Sequence, residues 1–539
     1  MLNAWTIGWN ANRLRHGLSA YWDAPIFYPE RRTLALSEPQ PASMVVAPVV
    51  WSTGSPVTAY HWYMIGSLVA NAIAATFLLR QLATTWMAAI AGGIGVMWLP
   101  ITHAQLELIQ LVPLWGVLWT IGCCIGLTKH PKLSTGVALG LAFLSIFTTS
   151  VHHGLFFSLL ISANIWFLLP RRRWRAWLPP VVASTLIATV GLSLVLVPMR
   201  RVIQEHGSPR ELPTVTALSA TIGNWLDPDY DGLRAWQRTA SDRWFIDSSD
   251  RKLNPGWGRV TLAILAVAMA TRRPGTKRTR WVYYFLAAFA LTACLASLGN
   301  NLTILQWHPW SSLCEFVPGF AHIRSPYRFA YFAQLAVLLL AALCMSRIDR
   351  DLRRHEQQAR HRTREQQPGR WILTARLGSA MILFMVVAVE VIPGPPRKAS
   401  VPDITVRAAW VEFLREQPEE TRTIVCLPWN SGLRKEDFEQ TTRHMLWSMA
   451  HHGRLANGYS GFFPASWHEL GRVIERDPYS PAACKRYHEI GIEFVVVDLN
   501  HFPCKPSSAT TSGLRLVLRD DEAGTYVYRV VEDLMSTRK

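Results

Sequence analysis

The stretch RFAYFAQLAVLLLAALCMSRIDRDLRRHEQQARHRTREQQPGRWILTARLGSAMILFMVVAVEVI at 328–392 decides the fold. It is apolar over 328–346 and again over 371–392, and the connection between, 347–370, holds eight arginines. A hydrocarbon core about 30 Å thick needs roughly 20 apolar helical residues to cross it, so the two apolar runs predict membrane-spanning helices. The arginines give the side, because cytoplasmic connections collect Lys and Arg.

The pattern repeats outward from this pair. Apolar stretches at 57–79, 83–100, 109–127, 133–150, 151–169, 178–198, 256–271 and 281–298 precede it, which predicts ten spans in all. The basic connections RRRWRAW at 171–177 and RRPGTKRTR at 272–280 alternate with loops that lack such clusters. That alternation puts Lys129 and Lys132 inside and leaves 101–108, 199–255 and 299–327 outside. The opening segment and the C-terminal tail fall outside with them. The expected fold is a polytopic α-helical membrane protein in three parts: an extracytoplasmic first loop (1–56), a transmembrane helical domain (57–392) and a soluble extracytoplasmic α/β domain (393–539).

The opening, LNAWTIGWNANRLRHGLSAYWDAPIFYPERRTLALSEPQ at 2–40, reads as an aromatic, polar loop with no apolar run able to span a bilayer. Met1 to Asn10 is too short and too polar for a signal peptide. An outside opening therefore predicts an earlier start in the native gene and one more helix before residue 1.

Charge and cysteine usage exclude other classes. The formal net charge is +18, yet about twenty of the Lys and Arg residues lie in the basic connections, where orientation and anionic lipid account for them. No nucleic-acid partner is implied; membrane lipid is. The 24 Trp residues suit the two headgroup interfaces. No Cys/His grouping has zinc spacing and no glycine-rich phosphate loop occurs, so no residues are assigned to a metal and the cofactor stays unassigned. Cys484 and Cys504 would share the oxidising side, and a bridge between them is one open alternative.

The tail reads as a small α/β domain. A helix at 403–416, the strand TIVCLP at 423–428, helices near 438–452, 465–476 and 480–489, the strand EFVVVD at 493–498 and the closing pair LRLVLRD and GTYVYRVV give it a core of its own. NGYSGFFP at 457–464 reads as a turn-rich loop and not as a nucleophile elbow.

Five stretches carry a resemblance: LNAWTIGWN at the start, WDAPIFYPERRTLALSEP at 22–39, SLGNNL at 297–302, FVPGFAHIRSPYRFAYF at 316–332 and HHGRLANGYSGFFP at 451–464. Together they resemble a bacterial group of multi-spanning membrane proteins similar to the GT-C glycosyltransferases, which use polyprenyl-phosphate sugars on the outer face of the membrane. The resemblance implies a hexosyl or pentosyl transferase in a bacterial plasma membrane, with a lipid-linked sugar as partner. It also implies a catalytic carboxylate in the first outer loop. Relatives carry one just before the LNAW stretch, where this chain has Met1, so the short form is expected to be impaired or inactive. A non-catalytic protein of the same architecture, acting in assembly or export of cell-surface polymers, is the alternative reading.

Particular residues fit these roles. Asp23 and Glu38 are the carboxylates of the first loop; Asp23 could equally close the turn into IFYP, whereas Glu38 has apolar surroundings that favour a general base. His103 and Glu107, with Gln105 between them, stand at the outer end of a span, where polar groups face cavities or satisfy the backbone. Arg324 and Arg328 flank Ser325-Pro326, an expected helix start. Two guanidiniums at a helix N-terminus suit a phosphate, which the free N–H groups would also bind.

Overall fold

The run AYFAQLAVLLLAALCM is rich in Ala and Leu, strong helix formers with no Gly or Pro to break them, and it opens the helix Ala330–Thr363. A helix apolar on every side must be buried by protein or by lipid. This one is buried by protein: over Pro326–Gln358 the apolar window is 94% buried in the computed structural model. Around it pack the helices Trp86–Met97, Trp257–Arg272, Lys277–Ser297 and Arg370–Phe384. The helix Arg175–His206 is as apolar but only 17% buried, so most of its surface is left for lipid.

The structure describes all residues except 169–173, 208, 228–250, 273–276, 364–369, 395–399, 431–434, 503–512 and 532–539. Among the described residues six helices are long and apolar enough to cross a membrane, and they coincide with six of the ten expected spans. The other four fall on shorter apolar helices, Leu133–Thr149, Val151–Phe167, Trp257–Thr271 and Leu377–Val389. The chain is an integral membrane protein. It divides into two units, Met64–Ser193 with Pro209–Lys398, and Met1–Tyr63 with Leu194–Ser208 and Ala399–Lys539. The opening segment thus belongs to the same unit as the C-terminal segment.

Polar side chains close the breaks in the helical unit. Gln334 lies on the central helix with no exposed surface. Its Oε1 accepts from Ile101 N–H at 3.2 Å, and its Nε2 donates to the Lys252 and Leu253 carbonyls at 2.7 and 2.9 Å. Asn71 does the same for another break, donating to Val112 O at 2.8 Å and accepting from Leu114 N–H at 2.7 Å. Buried backbone that is not helical needs such partners, since neither a neighbouring helix turn nor solvent supplies them. Elsewhere small residues let helices touch: a Cβ on Gly136 would collide with the Pro180 carbonyl, and one on Gly140 would stand 2.8 Å from the Ser184 carbonyl.

The other unit contains a five-stranded sheet in the order β2-β1-β3-β5-β4. The strands are β1 (Thr423–Leu427), β2 (Arg454–Leu455), β3 (Phe494–Asp498), β4 (Leu514–Asp520) and β5 (Thr525–Val530). β1 pairs in parallel with β2 and β3, and β5 runs antiparallel to both β3 and β4. The parallel pair reads TIVCL and FVVVD, near-continuous apolar runs, because helices such as Lys435–His451 cover sheet faces. The expected helices and strands of the tail are present, with the first helix shorter than read, Ala409–Glu416. β2 escaped the sequence reading because two residues inside a turn-rich stretch show no periodicity.

The opening requires a correction. Residues 2–15 are not loop but the helix Leu2–Arg15, with Asn3 to Ala11 buried. Its sequence is apolar and polar on every face, so it has no amphipathic signature. Burial comes instead from packing against the Lys435–His451 helix, where Gly8 stands so close to Met449 that a Cβ would lie 2.9 Å from its sulfur.

Two expectations follow. Gln334→Leu keeps the volume but strands one N–H and two carbonyls, at about 1–3 kcal/mol for each group left unsatisfied. The detergent-solubilised chain should therefore melt several degrees lower than wild type by differential scanning fluorimetry; an unchanged midpoint would show that these bonds do not hold the bundle. His444 and His451 are buried, and desolvation pushes their pKa values down to about 4 and about 3. The unfolded chain binds protons on them below about pH 6.5 while the folded chain does not, so stability falls with pH from 6.5 toward 4. The slope is about 1.4 kcal/mol per pH unit for each histidine. Denaturant melts at pH 7.5 and 5 should show this loss in wild type and a smaller one in His444→Gln/His451→Gln.

Candidate functional site

The two units each gather polar groups, and each is described by itself. In the opening segment Trp22 O accepts from Leu34 N–H at 3.2 Å and Ala24 O from the Thr33 hydroxyl at 2.7 Å, which folds 22–24 against 32–34. Asp23 sits on the outside of this fold. Its Oδ1 accepts the Arg32 N–H at 2.8 Å, at a residue in the left-handed region (φ 55°), so the carboxylate closes the turn. Glu38 is buried. Next to it in the chain lies a polar knot centred on Asn10. The Asn10 amide donates to Pro39 O, Gln40 O and Ser43 Oγ, each at 2.9 Å, while Tyr21 donates to its Oδ1 at 3.0 Å. Gln40 completes the knot through Asn3 Oδ1 at 2.8 Å.

Two of the stretches that carried the family resemblance meet here. Phe27 N–H donates to Asn457 O at 3.1 Å, Tyr28 N–H to Leu455 O at 2.8 Å, and Leu455 N–H to Pro25 O at 3.0 Å. The segment WDAPIFYP thus lies along the edge of β2. Phe27 packs edge-on to Phe463 with centroids 5.8 Å apart, and a Cβ on Gly458 would come 2.7 Å from the Phe27 ring. At the ends of β1 and β3, Asp498 accepts from Gln440 Nε2 at 2.7 Å and from His501 Nδ1 at 2.9 Å. The Cys484–Cys504 pairing lies outside the described residues.

In the helical unit the other two stretches meet in the same way. Ala220 N–H donates to Ser297 O at 2.9 Å, Asn300 N–H to Ser219 Oγ at 3.1 Å, and Tyr327 N–H to Leu218 O at 3.3 Å. SLGNNL and HIRSPYRF are therefore joined through the irregular segment 218–220. The expected helix start at Ser325-Pro326 is a single 3-10 turn, Pro326–Phe329, and the Ser325 side chain makes no cap bond.

Within that turn Tyr327 is 1% exposed and Arg328 7%, whereas Arg324 is exposed. The Tyr327 hydroxyl accepts from Gln105 Nε2 at 2.5 Å, and the Arg251 guanidinium lies 4.9 Å from the Tyr327 ring. Arg328 itself is 6.0 Å from that ring, and its Nε is buried without a hydrogen-bond partner. Gln105 Oε1 is buried without one too. Tyr331, one turn further, donates to Ile101 O at 3.4 Å. Glu107 is exposed, and His103 Nε2 is 2.9 Å from Met97 O.

Of the residues read from sequence, Arg328 lies beside the Tyr327 ring in this cluster, while Glu107 is exposed two residues along the chain from Gln105. His103 is engaged with the last residue of the preceding helix, Trp86–Met97. Gln105, read only as a neighbour, proves the direct contact to Tyr327. Arg251 gave no signal, being a lone arginine in a loop. An apolar cavity of about 530 Å³ between other helices, lined by Leu78, Trp119, Gly122 and Ala138, contains none of these residues.

Among curated proteins the sequence finds no match. Two solved structures are similar in fold. One is the arabinofuranosyltransferase AftD from mycobacteria, at a TM-score of 0.56 and 13% identity, over 98% of this chain and 39% of that one. The other is the archaeal oligosaccharyltransferase AglB from Archaeoglobus fulgidus, in complex with an inhibitory peptide and a dolichol-phosphate, at 0.48 and 12%, over 92% of this chain and 65% of that one. The chain thus spans less than two thirds of either. A family model described as a domain of unknown function, DUF6311, matches residues 6–355. By that match, which takes in the opening helix, the Gln105–Tyr327 contact and most of the central helix, the chain belongs to the DUF6311 family.

Proposed function

We propose that the protein is a membrane glycosyltransferase that takes a sugar from a polyprenyl-phosphate donor on the extracytoplasmic face. Arg328 carries the reading. An arginine cannot shed its charge, so burying one without an anion costs several kcal/mol. Its Nε has no protein acceptor, and the turn that holds it leads into the central helix, whose N-terminal dipole end favours negative charge and disfavours a cation. A phosphate answers both conditions. It accepts from the guanidinium and is favoured by the helix end.

In the transfer, the acceptor hydroxyl attacks the anomeric carbon, the bond from that carbon to the phosphate oxygen breaks, and the phosphate leaves with an added negative charge. Arg328 would meet that charge as it grows. The acceptor proton goes to a carboxylate. Of the two candidate carboxylates in the opening segment, taken by itself, Glu38 is buried and Asp23 is exposed and accepts a backbone N–H in closing its turn. AftD, a sugar transferase by name, supports the reading through the shared fold. The non-catalytic alternative in polymer assembly or export is separated from it by donor turnover.

The test is donor binding. For the full chain in nanodiscs, Arg328→Ala should weaken binding of a polyprenyl-phosphate sugar by at least about tenfold, or about 1.4 kcal/mol. Arg328→Lys should recover only part of it, since an ammonium cannot make the fork. Arg324→Ala, exposed and screened, should change little. Melting and gel filtration identify variants that have lost their fold. Unchanged binding in a folded Arg328→Ala protein would remove the phosphate role.

A further inference from the structure

Residues 297–314, SLGNNLTILQWHPWSSLC, contain no Lys, Arg, Asp or Glu. They follow directly on the candidate span that ends at Ser297. Within them Ile304 and Trp307 form a two-residue hairpin. Ile304 N–H donates to Trp307 O at 2.9 Å, and Trp307 N–H returns to Ile304 O at 3.0 Å. The tip is strongly apolar and strongly exposed: Ile304 48%, Leu305 94%, Trp307 55%, with Phe316 at 74% on the helix that follows.

We propose that this hairpin is a membrane-interface anchor, its tip inserted among the lipids of the leaflet on its own side. Three observations point to lipid as the occupant. First, polar groups at the base of the turn are already satisfied, and the turn itself, Leu305-Gln306, carries a single exposed amide side chain, which suits headgroup depth. The two hairpin N–H groups bond across the turn, and Trp307 Nε1 donates to Ser312 Oγ at 2.8 Å. Second, Leu305 adopts a left-handed backbone (φ 52°), a conformation that Gly or Asn takes with far less strain. A hairpin that met only water would favour those residues; leucine there is explained by what it touches. Third, the surface is continuous with the membrane, since the span ends at Ser297 and the chain has no charge to hold it in water. Tryptophan beside aliphatic residues is the composition of an interfacial anchor.

The base of the hairpin is rigid, so the tip has a fixed direction. Gly299 (φ 47°) packs where a Cβ would lie 2.5 Å from both Pro326 Cβ and Ser219 Oγ. Asn300 donates to Thr216 Oγ1 at 2.7 Å, and Asn301 donates to Ala220 O at 3.0 Å. Pro326 opens the turn that contains Arg328. An inserted tip would therefore fix the depth of that turn near the lipid phosphates; this consequence, unlike the insertion, rests on the proposed function.

Insertion is tested without any sugar donor. In a variant with the native cysteines replaced by alanine, a nitroxide at Ile304→Cys or Leu305→Cys is reconstituted in phosphatidylcholine–phosphatidylglycerol vesicles, with Glu522→Cys as the exposed control. Power saturation should favour oxygen over a water-soluble nickel chelate at 304 and 305, and the reverse at 522. On the native chain, phospholipids brominated near the headgroup end of the acyl chain should quench wild type more than Trp307→Phe. Nitroxides at 304 and 305 that behave like 522, or that are shielded from both reagents as in a protein contact, would overturn the anchor. So would equal quenching of wild type and Trp307→Phe. Donor binding that failed while the tip proved inserted would count against the phosphate site alone.

Discussion

The helical unit is organised around the burial of one apolar run, the first half of the helix Ala330–Thr363. Lipid supplies no hydrogen bonds, so any backbone near that helix that departs from helical geometry must find its partners within the protein, and side chains supply several of them. Gln334 serves the breaks at Ile101 and at Lys252–Leu253, Asn71 the break before Trp115, and Ser219 the link between Leu218 and Asn300. These side chains are few, polar and buried, and each ties together segments far apart in sequence.

The candidate site is a product of the same constraint. Irregular backbone at a helix end leaves carbonyls and N–H groups turned toward one another, and the turn Pro326–Phe329 uses that space for Tyr327 and Arg328. Tyr327 is fully engaged, between Gln105 and the Arg251 guanidinium. Arg328 is buried with its Nε unpaired, and a buried cation with a free donor is where an anionic ligand gains most.

Much of this was legible in the sequence, for physical reasons. Long apolar runs are a strong signal because the bilayer imposes their length, and each expected span falls on a helix. The α/β pattern of the tail was legible because its strands and helices have distinct periods. The helix Leu2–Arg15 was not, since its apolar and polar residues are mixed on every face and only tertiary packing buries them. β2 was invisible at two residues, and with it the pairing of Tyr28 to Leu455. At the site, Arg328 could be singled out from its place after Ser-Pro, but nothing local distinguished it from Arg324; burial alone separates them. Arg251 and Gln105 act through contacts across more than seventy residues of chain, which no local pattern reports.

The most direct measurement is a cryo-EM map of the full chain in nanodiscs with added undecaprenyl phosphate. The account predicts phosphate density within hydrogen-bonding distance of the Arg328 guanidinium, at the entry to the central helix. Phosphate bound elsewhere, or an Arg328 side chain already satisfied by protein groups in that map, would contradict it.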